Sequence, residues 1–431
     1  MISNAFNVNT SGNLTIGGID AIELAKEFGT PLYVMDEKTI RENCQSFKKS
    51  ASKATDGFCN VIYASKAFNC LEMCRIVSDE GLGIDVVSGG ELYTAVKAGV
   101  DPEKIYFHGN NKTLWELKLA LELNVGRIVV DNMVELVTLN ELAKERGKTA
   151  QIMFRIKPGI DAHTHDFVKT GQIDSKFGVA LETGEAMDII KLAHSMSNVN
   201  VAGIHCHIGS QIFDVDPYIL ACEVMIKFMA DVQKNIGLTI RELNLGGGFG
   251  IKYTDDDNPE ALEKYMSLVA DTARTKAKEF GIGMPFLMIE PGRSIAGSAG
   301  ATLYTVGSIK NIPNIRTYVS VDGGMTDNPR YALYKSKYTM EIANKANSPK
   351  DTIVTIAGKC CESGDLLGEN VNLQKPEIGD TLAVLSTGAY NYSMSSNYNR
   401  TPKPACVMVN NGRARIIIKR ETLDDIIKND M

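Results

Sequence analysis

The sequence predicts an α/β protein that combines a (β/α)8 TIM barrel with a second, mostly antiparallel β domain. Two observations predict this fold. From about residue 58, short β-rich runs alternate with helical stretches, and eight alternations are what such a barrel requires. After about residue 300, β-rich runs follow one another with turns rather than helices between them. We therefore expect the barrel at 36–299 and the β domain at 1–35 and 300–431.

The predicted barrel strands are short apolar runs bounded by turn residues or charges. Most are separated by stretches with helical apolar spacing, such as "MVELVTLNELAKERG". An open doubly wound sheet is the alternative, since it shows the same alternation. The eight runs are "NVIYAS" (60–65), "GIDVVS" (83–88), "IYFHG" (105–109), "RIVVD" (127–131), "QIMFRI" (151–156), "VAGIHCHI" (201–208), "ELNLGG" (242–247) and "FLMIEPG" (286–292).

The predicted β domain draws on both ends of the chain. Two runs near the start, "NLTIGG" and "PLYVMD", are strand-like and are expected to join it. In the last third, turns and irregular segments separate the β-rich runs. These runs are "ATLYTVGSIK", "RTYVSVDGG", "TIVTIAGK", "TLAVLSTGAY" and "ARIIIKR".

The composition excludes several classes of protein. The 431 residues are 44% hydrophobic and 23% charged, as in an ordinary globular protein, and the formal net charge is −6 with no basic tract. This argues against nucleic-acid partners and an anionic membrane surface. We see no signal peptide and no apolar run near the roughly 18 residues that a membrane span needs. Nine scattered cysteines fit reduced thiols, so we expect a cytoplasmic protein.

Polar residues gather where the predicted barrel strands end, which is where TIM-barrel active sites form. Strand six ends in "HCHIGSQ", strand seven in "GGGFG" and strand eight in "EPGR". By the period of two, His205 and His207 should share one face of their strand. Strand one ends at Lys66, strand two at Asp85 and Ser88, and strand three at His108 and Asn110.

A lysine and a glycine-rich loop at one barrel end together suggest pyridoxal phosphate. Glycines let backbone N–H groups converge on a phosphate, although a tight turn is an equally simple explanation of "LGGGFG". Lys66, if buried, is a candidate nucleophile for the cofactor aldehyde. Glu290 can pair with the ring nitrogen, and His207 can offer a flat face to the ring. A metal site at the H-x-H pair, or at "HTH" (163–165), is the rival interpretation.

The stretch "GKCCESGDLL" (358–367) places two cysteines beside two acids. A zinc site usually has spaced cysteines, and a disulfide framework is not expected in a reduced compartment. A reactive thiol at Cys361 and a simple turn both remain open on the residues alone.

The motifs taken together resemble the fold type III, alanine-racemase-like, pyridoxal-phosphate-dependent decarboxylases. The resemblance covers nearly the whole chain, and the order and spacing of the motifs make it specific. The matching stretches are "YASKAF", "DVVSGGEL", "FHGNNKT", "HTHDFVKTGQIDSKFG", "HCHIGSQ", "GGGFG", "EPGRSI", "DNPRYALY", "CCESGD" and "TGAYNYSMSSNYN".

The resemblance implies a role for each matched residue. Lys66 would carry the cofactor, His207 would stack on its ring and Glu290 would pair with the ring nitrogen. Cys361 and Glu362 would come from the second subunit of a homodimer, as a proton donor near the reacting carbon and as a reader of the distal amino group. The phosphate would be held by Ser210, Gly248, Gly292, Arg293 and Tyr390, and the distal carboxylate of the substrate by Arg293, Arg330 and Tyr334, with Tyr390 also at the substrate.

The implied reaction is decarboxylation of meso-2,6-diaminopimelate to L-lysine, the last step of lysine biosynthesis. A carboxylate at Glu290 keeps the ring nitrogen protonated, which favours decarboxylation, whereas an arginine there would favour racemisation. Arg293 and Arg330 favour a substrate with a distal carboxylate. The alternatives are a related basic amino acid such as arginine, a carboxylated polyamine, a non-catalytic relative, or a metal-dependent hydrolase using His163, His165, His205 and His207.

Overall fold

The computed structural model describes residues 2–160 and 175–431. These residues form two compact units. One contains Asn43–Gly250 and Pro259–Gly292, and the other contains the residues up to Glu42, Ile251–Asn258 and Arg293–Met431. No helix within the described ranges is both long and apolar enough to cross a membrane.

The first unit is a closed barrel of eight parallel strands, as the sequence predicts. Each strand pairs with the next, and the eighth returns to the first through the register Leu287↔Cys59 to Ile289↔Val61. A two-residue strand, Val179–Ala180, lies beside the fifth. The barrel strands one to eight are Cys59–Ala64, Gly83–Val86, Ile105–Phe107, Arg127–Val130, Ala150–Lys157, Val199–His205, Glu242–Asn244 and Phe286–Ile289.

Helices alternate with these strands, and some of them begin at polar caps. The Ser88 hydroxyl accepts the Glu91 N–H, and the Asn132 side chain accepts the Glu135 N–H, so these two βα loops end at a fixed point. The helices are Leu71–Asp79, Gly89–Lys97, Leu114–Glu122, Met133–Glu145, Glu185–Ser195, Asp216–Ile236 and Leu262–Glu279, and Glu37–Thr55 precedes the first barrel strand.

Large apolar side chains fill the barrel, so it is a packed core rather than a channel. A buried cluster contains Ile62, Tyr106, Val129, Met153 and Met288, each from a different strand. Chemistry is therefore confined to the strand ends, where the polar residues lie.

The second unit is a mostly antiparallel β structure that includes the N-terminal segment, as the sequence predicts. Strand Leu32–Asp36 pairs antiparallel with Gly300–Ile312 and parallel with Ala405–Asn410. Its other strands are Phe6–Val8, Leu14–Ile16, Ile19–Asp20, Arg316–Val321, Met340–Ile342, Thr352–Ala357, Leu366–Leu373, Thr381–Leu385 and Arg413–Ile418; its helices are Ala21–Phe28, Arg293–Ala296, Arg330–Tyr334 and Leu423–Ile427.

Candidate active site

Lys66 lies immediately beyond barrel strand one, in a 3-10 helix of one turn, Ser65–Ala67. Its side chain is exposed, so the expectation that it is buried is wrong. The eighth strand approaches this turn closely, because the Ala64 N–H donates to the Pro291 carbonyl at 3.1 Å. A Cβ on Gly292 would lie only 2.8 Å from the Ala64 carbonyl oxygen, so this approach requires glycine.

Glu290 follows barrel strand eight and is buried among donors from other strand ends. Its Oε1 accepts from Asn244 Nδ2 at 2.8 Å and lies 2.8 Å from His108 Nε2. Its Oε2 lies 3.1 Å from His205 Nε2. Burial alone would raise the pKa of Glu290, but the two imidazoles outweigh it and hold the pKa well below its usual range. The site therefore contains a buried carboxylate anion.

His207 stands just past the end of strand six, which finishes at His205. The prediction places both histidines on one strand, but only His205 belongs to it. His205 reaches Glu290, while His207 Nδ1 accepts the Gly247 N–H at 3.3 Å. Burial, with the positive charge of Lys66, lowers the pKa of His207 well below its usual value. His207 is thus a neutral, flat ring beside the glycine-rich loop.

The glycine-rich loop after strand seven has the geometry of an anion cradle. Gly248 has φ 105°, which favours glycine, and a Cβ there would lie 2.5 Å from the Gly209 carbonyl oxygen. Its N–H donates to no group within residues 2–160 and 175–431. The Tyr218 hydroxyl fixes the loop by donating to the Gly247 carbonyl at 2.9 Å. Ser210, a predicted phosphate ligand, is half-buried next to Gly209.

Some polar residues at this barrel end were not predicted as site residues. Asn244 ends strand seven, and Arg155 lies near the end of strand five. Asp85 and His108 are predicted strand-end residues to which the resemblance assigns no role. Burial raises the pKa of Asp85, which faces His108, Glu290, Lys66 and Arg155. A charged residue inside an apolar strand such as "QIMFRI" is the signal that identifies Arg155.

A second cluster, the arginine–tyrosine cluster, lies in the β unit. Arg293 donates to the Tyr253 hydroxyl at 2.6 Å, and its Cζ lies 4.7 Å from the centre of the Tyr390 ring. The Arg330 Cζ lies 5.1 Å from the same ring and 5.0 Å from the Tyr334 ring. Both arginines are buried. The Arg330 Nε–H finds no hydrogen-bond partner among the described residues, which suits a site for an anionic group.

The Tyr390 ring contacts both arginines of this cluster, and its backbone has an unusual conformation. Its φ is 69°, in the left-handed region that a bulky side chain rarely adopts. Strain of this kind concentrates at functional sites, where the surrounding structure enforces it. Tyr253, the hydroxyl partner of Arg293, was missed because nothing in "IKYTDDD" distinguishes it from a packing tyrosine.

The "CCESGD" stretch is an ordered loop between strands Thr352–Ala357 and Leu366–Leu373. The buried Asp365 carboxylate accepts the Met325 N–H at 2.6 Å and the Cys360 N–H at 2.7 Å. Burial and the adjacent Asp365 raise the pKa of Cys360 to about 11, so this thiol stays protonated.

Cys361 and Glu362 project from this loop, and both are exposed. The Cys361 N–H donates to Asn399 Oδ1 at 2.8 Å, so its backbone is fixed while its thiol remains accessible. Among the described contacts, no hydrogen bond or ion pair joins Cys361 or Glu362 to Arg330 or Tyr390.

Of the rival metal site, His163, His165 and most of the stretch "HTHDFVKTGQIDSKFG" lie outside the described residues. Within the described ranges, one group of three potential ligands lies within 4.8 Å: His108, His205 and Glu290. His207, which that interpretation requires, is not part of it.

Comparison with known proteins agrees with this geometry. The family described as "Pyridoxal-dependent decarboxylase, pyridoxal binding domain" matches residues 37–297. The chain therefore belongs to the pyridoxal-dependent decarboxylases.

Within that class, three similar proteins have the name diaminopimelate decarboxylase. Diaminopimelate decarboxylase of Bacillus subtilis (strain 168) is 50% identical over 424 residues, 98% of this chain and 96% of the relative. That of Staphylococcus aureus (strain COL) is 45% identical, covering 98% of each chain. A diaminopimelate decarboxylase structure from M. jannaschii in complex with L-lysine is 39% identical, with TM-score 0.93 over 100% of this chain and 98% of that chain. These likenesses identify the chain as belonging to the diaminopimelate decarboxylase family.

The barrel end fits pyridoxal phosphate on its own chemistry. The glycine loop leaves no room for a Cβ and presents the Gly248 N–H, as a phosphate requires. Glu290 is a buried anion suited to a protonated ring nitrogen. The accessible amine of Lys66 suits the aldehyde.

Proposed function

We propose that the chain catalyses the pyridoxal-phosphate-dependent decarboxylation of meso-2,6-diaminopimelate to L-lysine and CO2, the last step of lysine biosynthesis. The observation that carries this proposal is that two buried arginines, Arg293 and Arg330, both contact the ring of Tyr390. Planar guanidinium groups bind carboxylates in a bidentate manner, and this substrate has a carboxylate at its far end. Relatives with that named activity, up to 50% identical over nearly the full chain, support the same substrate.

The barrel residues hold the cofactor and set its charge. Bound pyridoxal phosphate supplies a protonated ring that draws off the electrons left when CO2 departs. Glu290 keeps the proton on the ring nitrogen, because its pKa is held well below the usual range and it remains an anion. Lys66 carries the cofactor through its amine, and His207 packs a neutral ring against it. The phosphate is held by Ser210, Gly248 and Gly292, with Arg293 and Tyr390.

The arginine–tyrosine cluster selects the substrate. Arg330 and Arg293 pair with the distal carboxylate, and Tyr334 and Tyr390 lie against the Arg330 guanidinium. A substrate that carries only an ammonium at its far end would place a second positive charge beside the buried Arg330, whose Nε–H has no partner among the described residues, which is costly. This supports diaminopimelate over the alternatives, a related basic amino acid or a carboxylated polyamine.

Each active site is shared between the two chains of a homodimer. Cys361 delivers a proton to the reacting carbon, and Glu362 binds the distal amino group, both in the partner's site. The support is that their loop is ordered by Asp365 and Asn399 while both side chains face outward. The enzyme acts in the cytoplasm, which agrees with an odd number of cysteines, nine, scattered through the chain.

One assay tests the proposed function. Purified protein with pyridoxal phosphate is given meso-diaminopimelate, ornithine and arginine in parallel, and CO2 and the amino-acid products are measured. We expect lysine from diaminopimelate and no turnover of the other two, with Lys66→Ala as the inactive control. Turnover of ornithine or arginine with diaminopimelate inert would contradict the substrate. Cofactor binding without any turnover would indicate a non-catalytic relative.

A further inference from the structure

The surroundings of Glu290 contain three polar side chains to which the proposed function gives no role. His108, His205 and Asn244 end barrel strands three, six and seven, and all are buried. Because the carboxyl ends of the strands meet at one end of the barrel, residues far apart in sequence converge on a single carboxylate.

Each oxygen of Glu290 has one hydrogen-bond partner from the end of another strand. Oε1 accepts from Asn244 Nδ2 at 2.8 Å, and Oε2 lies 3.1 Å from His205 Nε2. His108 Nε2 also lies 2.8 Å from Oε1, but it is not aligned for a hydrogen bond. A carboxylate oxygen has about two acceptor sites, so Glu290 keeps capacity for a further donor.

The hydrogen-bonding state of each neighbour follows from its other contacts. Asn244 Oδ1 accepts the Gly246 N–H at 2.9 Å, which fixes the amide so that Nδ2 must face Glu290. Burial lowers the pKa of His205 to about 4, so the ring is neutral and its one N–H is the Nε2–H beside Oε2. The His108 ring meets the His205 ring edge to face, with centroids 4.7 Å apart, so each restrains the other.

We propose that His108, His205 and Asn244 are positioning residues that keep Glu290 ionised, so that this carboxylate can accept the N–H of the protonated cofactor ring. The proposal deepens the proposed function and rests on it. Burial and the neighbouring Asp85 carboxylate both favour a protonated Glu290, and a neutral carboxyl group cannot retain the ring proton. The hydrogen bonds from Asn244 and His205, with the His108 ring close to Oε1, oppose that tendency.

The test reads the ring nitrogen itself. The protein is loaded with pyridoxal phosphate labelled with 15N in the ring, and the 15N chemical shift reports whether the nitrogen is protonated. His205→Leu removes a donor at similar volume, and His205→Gln restores an N–H near the Nε2 position. Asn244→Leu is an independent variant, and exposed His194→Leu is the matched control.

We expect a protonated nitrogen in the wild type, in His194→Leu and in His205→Gln, and a shift toward the unprotonated value in His205→Leu and Asn244→Leu. In those two variants kcat should fall about 10- to 100-fold while KM for diaminopimelate changes little, because the substrate ligands are untouched. A change in KM with kcat unaltered would contradict a role at the ring nitrogen.

Several outcomes would overturn the proposal. A protonated nitrogen and near-normal kcat in both leucine variants would show that the donors are not needed. Failure of His205→Gln to restore the shift would assign the effect to packing. If His205→Leu does not fold, Asn244→Leu decides, together with 15N spectra of the wild-type histidines, in which His205 must be the neutral Nε2–H tautomer. A wild-type protein that binds no pyridoxal phosphate or releases no CO2 from diaminopimelate would contradict the proposed function instead.

Discussion

Replacing Arg330 with alanine removes a buried guanidinium whose ring contacts are Tyr334 and Tyr390. Its Nε–H has no partner among the described residues, so at least one donor is available to a ligand. A hydrogen bond between charged groups contributes about 1.5–3 kcal/mol. Since about 1.4 kcal/mol corresponds to a factor of ten, KM for diaminopimelate should rise roughly 10- to 100-fold.

Steady-state kinetics with diaminopimelate measure this change, and the visible band of the bound cofactor checks that the barrel site is intact. Arg330→Lys should recover only part of the loss, because an ammonium group cannot form the planar, bidentate pair. Arg316→Ala is the matched control: this arginine also lies over a tyrosine ring, at 5.5 Å, but its partner is Glu369 on the protein surface. An unchanged KM in Arg330→Ala would refute the assignment of the distal carboxylate to this cluster.

Three further variants probe the other parts of the site. Lys66→Ala should lose the visible cofactor band, covalent trapping by borohydride and nearly all turnover while the fold persists; retained activity would contradict the cofactor assignment. Gly248→Ala should weaken cofactor binding at least about tenfold, since its φ is 105° and the added Cβ would clash with the Gly209 carbonyl. Equal affinity of the variant and the wild type in a cofactor titration would contradict phosphate binding by this loop. Asp365→Asn should lower the free energy of unfolding by about 1–3 kcal/mol and also reduce kcat, because one of the two backbone N–H groups would then face the asparagine NH2 group. Denaturation beside the exposed Asp255→Asn control measures the change, and equal stability of the two variants would contradict the prediction.

The barrel was predictable because its strands are short apolar runs that alternate with stretches of helical apolar spacing. Strand Leu366–Leu373 was not predicted, since "LLGENVNL" contains glycine and asparagine, which are poor strand formers. It is a strand because it pairs with Thr352–Ala357, through register shifts that a sequence pattern does not reveal. Tertiary pairing here outweighs local propensity.

The site was predictable only in part, for a related reason. Glu290 and His207 stand out because they end apolar strands, but the contacts that hold Glu290 ionised depend on how strands three, six and seven close around the eighth. Spacing along the chain predicts that His205 and His207 share one face of a strand. Strand six ends at His205, however, and the two side chains have different partners. The exposure of Lys66 likewise follows from the 3-10 turn after strand one.

The most direct measurement mixes two inactive variants, Lys66→Ala and Cys361→Ala, which are unfolded and refolded together in equal amounts. If each active site takes its lysine from one chain and its cysteine from the other, about half the dimers are mixed, and each of these has one intact site because of two-fold symmetry. About a quarter of wild-type activity should then return. If both residues of a site come from the same chain, every site in the mixture keeps one defect. A mixture no more active than the average of the two separate variants would therefore contradict the shared site.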